Sequence, residues 1–465
     1  MFKERFRSHH SGGVLKDLYR RNIDKVEYLS QLLQTEATRR RTLYFHVPYC
    51  TKLCRFCQFP QGDKRVQSEY HKLIVEQIKA QRDFPYMRAP FESVYFGGGT
   101  PTSLEPYQMG EILKCINDSY NFTDDCDISV ETSITELDAQ MIDTLLENGV
   151  NRLSIGVQSF NDDLRKLLGR RGNGQKAFEK IKELQRAGFK NINIDLIYNN
   201  PGQTLDMLKG DLDRIIESEI AGFSFYGLIL MDNSTLSRTL TEAEKISLTN
   251  IDFEYEQFRL ILDTLRPYGY EMFEFTKLIR NKMDKYKYID VRHSGGDTIG
   301  LGLGAGGNIG GYTYYNMFDF ESISEELPFS VMGSVFDDKY HNYDKFLGDI
   351  QKKSVRLSDY NNTFEMDLGK TLAPDLEVFE KEKLCIYENG VLSFTDKGSF
   401  WGNNISDVFL KRVIENLDIK PQPRPTGMPT GMKGMGSMKS MMGKMGGMGK
   451  AGHPSGMPKM GNHQH

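Results

Sequence analysis

"YFHVPYCTKLCRFCQF", Tyr44 to Phe59, sets Cys50, Cys54 and Cys57 at C-x3-C-x2-C spacing in a chain of 465 residues that has six cysteines. The run before them, "TLYFHV" (42–47), is aromatic and apolar and predicts a strand. Pro48 then holds a loop in which three thiols follow directly on a strand end. A structural zinc site takes four ligands, and a catalytic one takes three plus water. Cysteine thiolates also hold iron–sulfur clusters, and three of them on a four-iron cube leave one iron open to a small molecule. Two other readings compete: zinc held by the trio with His46, and a redox C-x-x-C within "CRFC". The latter leaves the third cysteine unexplained.

Outward from this loop, β-rich runs alternate with amphipathic segments. The runs are "SVYFGG" (93–98), "DISVE" (127–131), "RLSIGVQ" (152–158), "NINIDLIY" (191–198) and "FSFYGLIL" (223–230). Between them, segments such as "PYQMGEILKCINDS" and "GQKAFEKIKELQRAG" repeat apolar residues at i, i+3/i+4 and i+7, the helical period. Six strands with helical crossovers imply an α/β fold with a parallel sheet, and the count suits a six-strand partial barrel better than a closed eight. After about residue 235 come a helical stretch (241–267), the glycine-dense "GGDTIGLGLGAGGNIGGYTYYN" (295–316) and a mostly helical region. That region ends in a hairpin turning at Asn389-Gly390, with a helix after it, a winged-helix-like close.

The expected division is an N-terminal helical extension (1–40), the partial barrel (41–235), a barrel-completing segment with a Gly-rich substrate region (236–320), a C-terminal helical/winged-helix-like domain (321–418) and a tail (419–465). The tail is Gly, Pro, Lys and Met without an acidic residue and holds ten of the 21 methionines, a composition that predicts disorder. Its His453, Met457, Met460, His463 and His465 offer soft or borderline donors of the kind that bind transition-metal ions. A formal charge of -4 and a pI near 6.2 give no reason to expect nucleic-acid binding. The N-terminus lacks the apolar stretch of a secretory signal and no run reaches the ~18 apolar residues of a membrane helix, so a cytoplasmic location without membrane insertion is expected. Cys115, Cys126 and Cys385 are scattered and read as buried free thiols.

The cysteine loop, "YFGGGTPTSL" (95–104), "NRLSIGVQSFNDDLRKLLGR" (151–170), "NIDLIYNNPGQT" (193–204) and the winged-helix-like close follow one another across residues 40–418. In that order they resemble the radical S-adenosylmethionine (SAM) superfamily, in the branch that contains oxygen-independent coproporphyrinogen III oxidase. The resemblance implies a partial (β/α)6 TIM-like barrel and a [4Fe–4S] cluster on Cys50, Cys54 and Cys57 whose fourth iron is chelated by SAM. One-electron reduction then releases a 5′-deoxyadenosyl radical. It further implies that Tyr44 and Phe56 flank the cofactors and that Gly98, Gly99 and Thr100 meet the SAM amino group. Glu131, Gln158, Arg170 and Asp195 meet its ribose, amino or carboxylate groups, and Gly227 stands at the family's sixth-strand contact.

Within the branch, coproporphyrinogen oxidases have a fourth cysteine where this chain has Phe59. Radical-SAM heme chaperones have a His-Asn-x-x-Tyr-Trp signature before the Gly-rich segment, where this chain reads "YKYIDVRHSGGDTIGLG". "FCQFPQG" and "GLGAGGNIGGYTYYN" are similar to the anaerobic heme-degrading members, the anaerobilin synthases. That resemblance implies a heme substrate, methyl transfer from SAM that opens the tetrapyrrole and releases iron, and a flavodoxin or flavin-dependent reductant. Heme delivery and coproporphyrinogen III dehydrogenation are the alternatives. His46, with Tyr44, is a candidate for proton handling at the site. His293, Arg292 and Tyr312 are candidates for substrate contact, against surface or core packing.

Overall fold

Alternation builds the sheet. In Arg41–Val47 (β1), Leu43, Phe45 and Val47 are buried on one face while Tyr44 and His46 stand half-buried on the other, as the two-residue period of a strand requires. Phe91–Gly98 (β2), Phe122–Thr132 (β3), Arg152–Gln158 (β4), Asn191–Tyr198 (β5) and Gly222–Gly227 (β6) follow in parallel, each paired with the one before. The register sets Tyr44 beside Tyr95, Glu131 beside Ser154, Gly156 beside Asp195 and Asp195 beside Ser224. Polar residues therefore share the inner face. The outer face packs on amphipathic helices such as Tyr70–Gln81, Pro106–Ser119, Gly174–Ala187 and Leu205–Ser218. Their N-termini are fixed by side-chain caps: Asn173 accepts from the Lys176 N–H, Thr204 from that of Met207, and Glu105 with Gln108 forms a capping box.

The computed structural model describes residues 2–7, 18–320, 329–330 and 332–417. The tail expected at 419–465, and 8–17 of the expected N-terminal extension, lie outside the described residues. The sixth strand is shorter than the run 223–230 suggests. After Gly227 the Leu228 N–H bonds back to the Tyr198 carbonyl (2.9 Å), and Leu228 and Leu230 turn into a small apolar cluster with Phe56. Among the described residues no helix is long and apolar enough to cross a membrane.

Six further strands lengthen the sheet. Tyr270–Glu274 (β7) and Lys277–Arg280 (β8) add an antiparallel pair beside β6, while Asp297–Leu301 (β9) joins β1 in parallel. Gly306–Ile309 (β10), Tyr312–Tyr315 (β11) and Gly333–Val335 (β12) continue antiparallel beyond β9. The resulting order is β12-β11-β10-β9-β1-β2-β3-β4-β5-β6-β8-β7. The glycine-dense segment is thus sheet. The helix Lys287–His293 sits against the inner face, its Tyr288 ring stacked on Tyr95 (4.3 Å) and near Tyr44 (5.8 Å).

The hairpin is present as Cys385–Glu388 (β14) and Val391–Phe394 (β15), with Ser354–Arg356 (β13) on its other side and the helix Gly402–Glu415 after it. Asn389 (φ 51°) and Gly390 (φ 77°) are both left-handed, as a two-residue turn of this hand needs. Residues 2–7 are not helical. They strap across this region, with Phe2 on Trp401 (5.3 Å) and Arg5 bonded to Glu254 (2.6 Å) and the Tyr198 hydroxyl (2.7 Å).

Candidate active site

The C-terminal ends of β1 to β5 surround a cavity of about 360 Å³. One wall is the cysteine loop. The Gly62 N–H bonds the Pro48 carbonyl (2.8 Å) and closes the loop at its base. The Arg55 N–H bonds Leu168 O (3.0 Å), its carbonyl accepts from Leu236 (2.7 Å), and Phe56 packs with Leu168, Leu228 and Leu236. These contacts fix Cys50, Cys54 and Cys57, all half-buried and unpaired with other cysteines, on the cavity wall. Each sulfur has its own polar neighbour: Thr100 Oγ1 at 3.4 Å from Cys50, Arg170 Nη1 at 3.0 Å from Cys54, and the Phe59 N–H at 3.5 Å from Cys57. Burial raises the thiol pKa values of Cys50 and Cys57, so ionising them requires compensating positive charge.

The opposite wall is the polar inner face of the strands. Glu131 accepts from the Tyr95 hydroxyl (2.7 Å) and the Gly98 N–H (3.2 Å). Burial pushes its carboxyl up to about 7, with Asp195 adding like-charge repulsion. Burial also raises Asp195. Burial pulls the His46 imidazole down to about 4, so it is neutral at pH 7, with the Tyr44 hydroxyl 2.8 Å from Nδ1. Gln158, at the end of β4 beside a register shift, is held at φ 69°, a left-handed conformation that non-glycine residues seldom adopt.

Two observations test whether this cavity fits the cofactors the motifs imply. Arg170 Nε and Gln61 Oε1, both on the cavity wall, are buried without a hydrogen-bond partner among the described residues, and such atoms call for a ligand. Gly98 and Gly99 also leave no room for larger residues: a Cβ on Gly98 would lie 2.6 Å from the His46 ring and one on Gly99 2.5 Å from the Tyr49 carbonyl oxygen. The turn that lines the cavity at these two positions thus tolerates only glycine. Three thiols for iron, carboxylates for ammonium and hydroxyl groups, and a guanidinium for a carboxylate complete a donor set that fits a cluster with SAM.

Tyr44, His46, Cys50, Cys54, Phe56, Cys57, Gly98, Gly99, Thr100, Glu131, Gln158, Arg170 and Asp195 all line this cavity. Four expected site residues lie elsewhere. Gly227 faces away, where a Cβ would meet Glu254 (2.6 Å). His293 Nδ1 is 3.1 Å from a Glu274 carboxylate oxygen. Arg292 lies over the Tyr288 ring (5.4 Å). Tyr312 is buried, its hydroxyl bonded to Ser330 O (2.8 Å). Sequence reasoning missed Gln61, Ser154 and the Tyr95–Glu131 bond. The inward alternation of "RLSIGVQ" was the available signal for Ser154.

Comparison with known proteins agrees with this geometry. The radical SAM superfamily model matches residues 44–215. The chain is 28% identical over 372 residues to the heme chaperone HemW of Lactococcus lactis subsp. lactis (strain IL1403), covering 79% of this chain and 96% of that protein. It is 27% identical over 391 residues to the anaerobilin synthase of Escherichia coli O157:H7, covering 80% and 84%. Coproporphyrinogen III oxidase (HemN) from Escherichia coli superposes with a TM-score of 0.70 at 21% identity, over 87% of this chain and 96% of that one, a likeness of fold. Superfamily members use a [4Fe–4S] cluster and SAM. The radical SAM superfamily model thus covers the strands that build the cavity, and over most of its length the chain is similar to HemW and to anaerobilin synthase.

Proposed function

We propose that the protein opens heme without oxygen, by radical methyl transfer from SAM, giving a linear tetrapyrrole and releasing iron. The observation that carries this reading is one cavity that collects three thiols, two carboxylates and Arg170 and has Phe59 on its wall where a coproporphyrinogen oxidase has a fourth cysteine. When bound, the cluster and SAM supply the one-electron cleavage of a carbon–sulfur bond that such chemistry starts from.

The chain's own residues position and shield. Cys50, Cys54 and Cys57 hold the cluster. Arg170 keeps Nη1 on Cys54 and bonds the Gly156 carbonyl, leaving Nε for a carboxylate. Glu131 and Asp195 accept from ammonium or hydroxyl groups, with the Tyr95 hydroxyl and the Gly98 N–H holding Glu131 in place. Tyr44 and neutral His46 form a hydrogen-bonded pair able to pass a proton without holding charge. A flavodoxin or flavin-dependent reductant supplies the electrons.

Heme delivery is the second reading, favoured by the similarity to HemW over 96% of that protein's length. Support for opening over delivery comes from the segment before the Gly-rich run. It has no Trp, and it folds as the helix Lys287–His293 with Tyr288 stacked inside the barrel and His293 beside Glu274. The test is anaerobic: reconstituted, reduced protein with SAM and heme should bleach the Soret band and yield a methylated linear tetrapyrrole by mass spectrometry. Intact heme alongside SAM cleavage would reverse the choice in favour of delivery.

A further inference from the structure

Two apolar side chains at the cavity are used by neither the loop's own packing nor the polar wall. Leu53 and Phe59 flank the cysteines and line the cavity, yet remain 54% and 46% exposed. The loop's other large apolar residues turn inward: Tyr49 is buried with its ring against Tyr70 (5.1 Å), and Phe56 packs on Leu168, Leu228 and Leu236. Apolar groups left at a pocket suit a ligand with an apolar face of its own. Lys52 and Arg171 line the same cavity and are exposed. Glu136 shares the wall, its carboxylate 3.4 Å from the Thr135 hydroxyl. An extended peptide would need free backbone donors, but the Phe59 N–H is directed at Cys57 Sγ (3.5 Å). A flat aromatic ring with carboxylates at its edge asks only for apolar contact and cations.

We infer that Leu53 and Phe59 clamp one face of a planar tetrapyrrole while Lys52 and Arg171 receive its propionate carboxylates. This rests on the heme reading above and names the part of the chain that seats that substrate. The clamp stands directly on the cysteine loop, so the ring is held beside the cofactors by the segment that carries them. Phe59 thereby takes a binding role at a position where related enzymes have a sulfur.

The test is a fluorescence titration of metal-free protoporphyrin IX into the full-length chain, with heme in parallel. Without iron the ring takes no axial ligand, so the titration reads the clamp apart from any histidine or methionine. Phe59→Ala and Leu53→Ala should each weaken protoporphyrin binding about tenfold, the scale of losing contact with one partly covered apolar side chain. Phe59→Tyr should restore most of the affinity. Lys52→Glu with Arg171→Glu should weaken binding more at low salt than at high salt. Iron content of each variant reports whether the loop is intact. Unchanged affinity in Phe59→Ala and Leu53→Ala, or a wild-type chain that binds heme but not protoporphyrin, overturns the clamp alone. A wild-type chain that takes neither porphyrin overturns the heme reading and the clamp with it.

Discussion

The cavity at the strand ends and the barrel interior beneath it are both polar, but they treat charge in opposite ways. In the interior, Arg152 and Asp284 form a two-pronged ion pair (2.9 and 3.1 Å) with both side chains fully buried. Burial alone would raise Asp284, but Arg152 outweighs it and holds the carboxyl below its ordinary range. Lys277 lies 3.2 Å from the Tyr286 ring centroid. In the cavity, Glu131 and Asp195 repel each other, and Glu131 is pushed up to about 7 by burial first and that repulsion second. The interior pairs its main charges within the chain, although Arg152 Nη1 and Lys277 Nζ find no hydrogen-bond partner among the described residues. The cavity leaves carboxylates, thiols and a guanidinium nitrogen for something bound. Removing a group should therefore cost binding above and folding below.

The largest effect tests the upper half. Cys54→Ala should drop bound iron and sulfide, and with them SAM cleavage, to background, while the unfolding midpoint, compared between cluster-free proteins, moves only slightly because the thiol is only half-buried. A large loss of stability would place Cys54 in the folding core instead. The lower half answers with the reverse pattern. Arg152→Met leaves Asp284 charged and buried and should destabilise the chain by about 3–5 kcal/mol in denaturant titration. Adding Asp284→Leu should recover much of that, since an apolar pair of similar volume replaces an ion pair at little net cost. If Arg152→Met folds normally but loses SAM affinity, the interior is part of the site and the contrast fails.

The sequence makes one half of this contrast far plainer than the other. The cysteine trio, the Gly98–Thr100 turn and polar residues at predicted strand ends gather in one cavity because a parallel sheet brings successive strand ends together. Period-two alternation separates Gly227 from the cavity: Ser224 and Asp195 are register neighbours on the inner face, and Gly227 falls on the other. His293 and Arg292 end the helix Lys287–His293 and Tyr312 begins β11, so none of the three lines the cysteine cavity, and nearness along the chain does not tell which side of the sheet they serve. The interior pair was invisible for another reason. Arg152 and Asp284 are 132 residues apart, and nothing local in either segment marks the partner. The six added strands are only three to five residues each, too short for a periodicity to announce them, and they join the six-strand core through long-range pairings, β9 with β1 and β8 with β6.

A smaller effect sharpens the electrostatic side. With its pKa near 7 in the folded chain, above an ordinary 4.5, Glu131 is stabilising when protonated. Its ionisation removes stability as pH rises from about 4.5 to 7. A cationic ligand such as SAM favours the ionised form, so SAM affinity should strengthen by about tenfold between pH 6 and 8. Equilibrium dialysis on wild type and Glu131→Gln checks it: the variant should bind weakly at both pH values, with the slope gone. A slope that survives in the variant assigns the proton elsewhere.

The smallest expected effect asks whether strain belongs to the site. Gln158 sits at φ 69° with its side chain on the cavity wall. A left-handed non-glycine residue costs of order 1–3 kcal/mol, and glycine gives back about 0.5–1 kcal/mol through its extra freedom when unfolded. Gln158→Gly should therefore stabilise the chain by roughly 1 kcal/mol, while Gln158→Ala, which keeps the strained backbone, should not. If the amide meets the ligand, both variants lose SAM affinity to the same degree. If Gln158→Gly binds SAM as wild type does, the turn alone serves the site and the strained glutamine carries no contact. That outcome would move Gln158 from the upper half of the contrast to the lower.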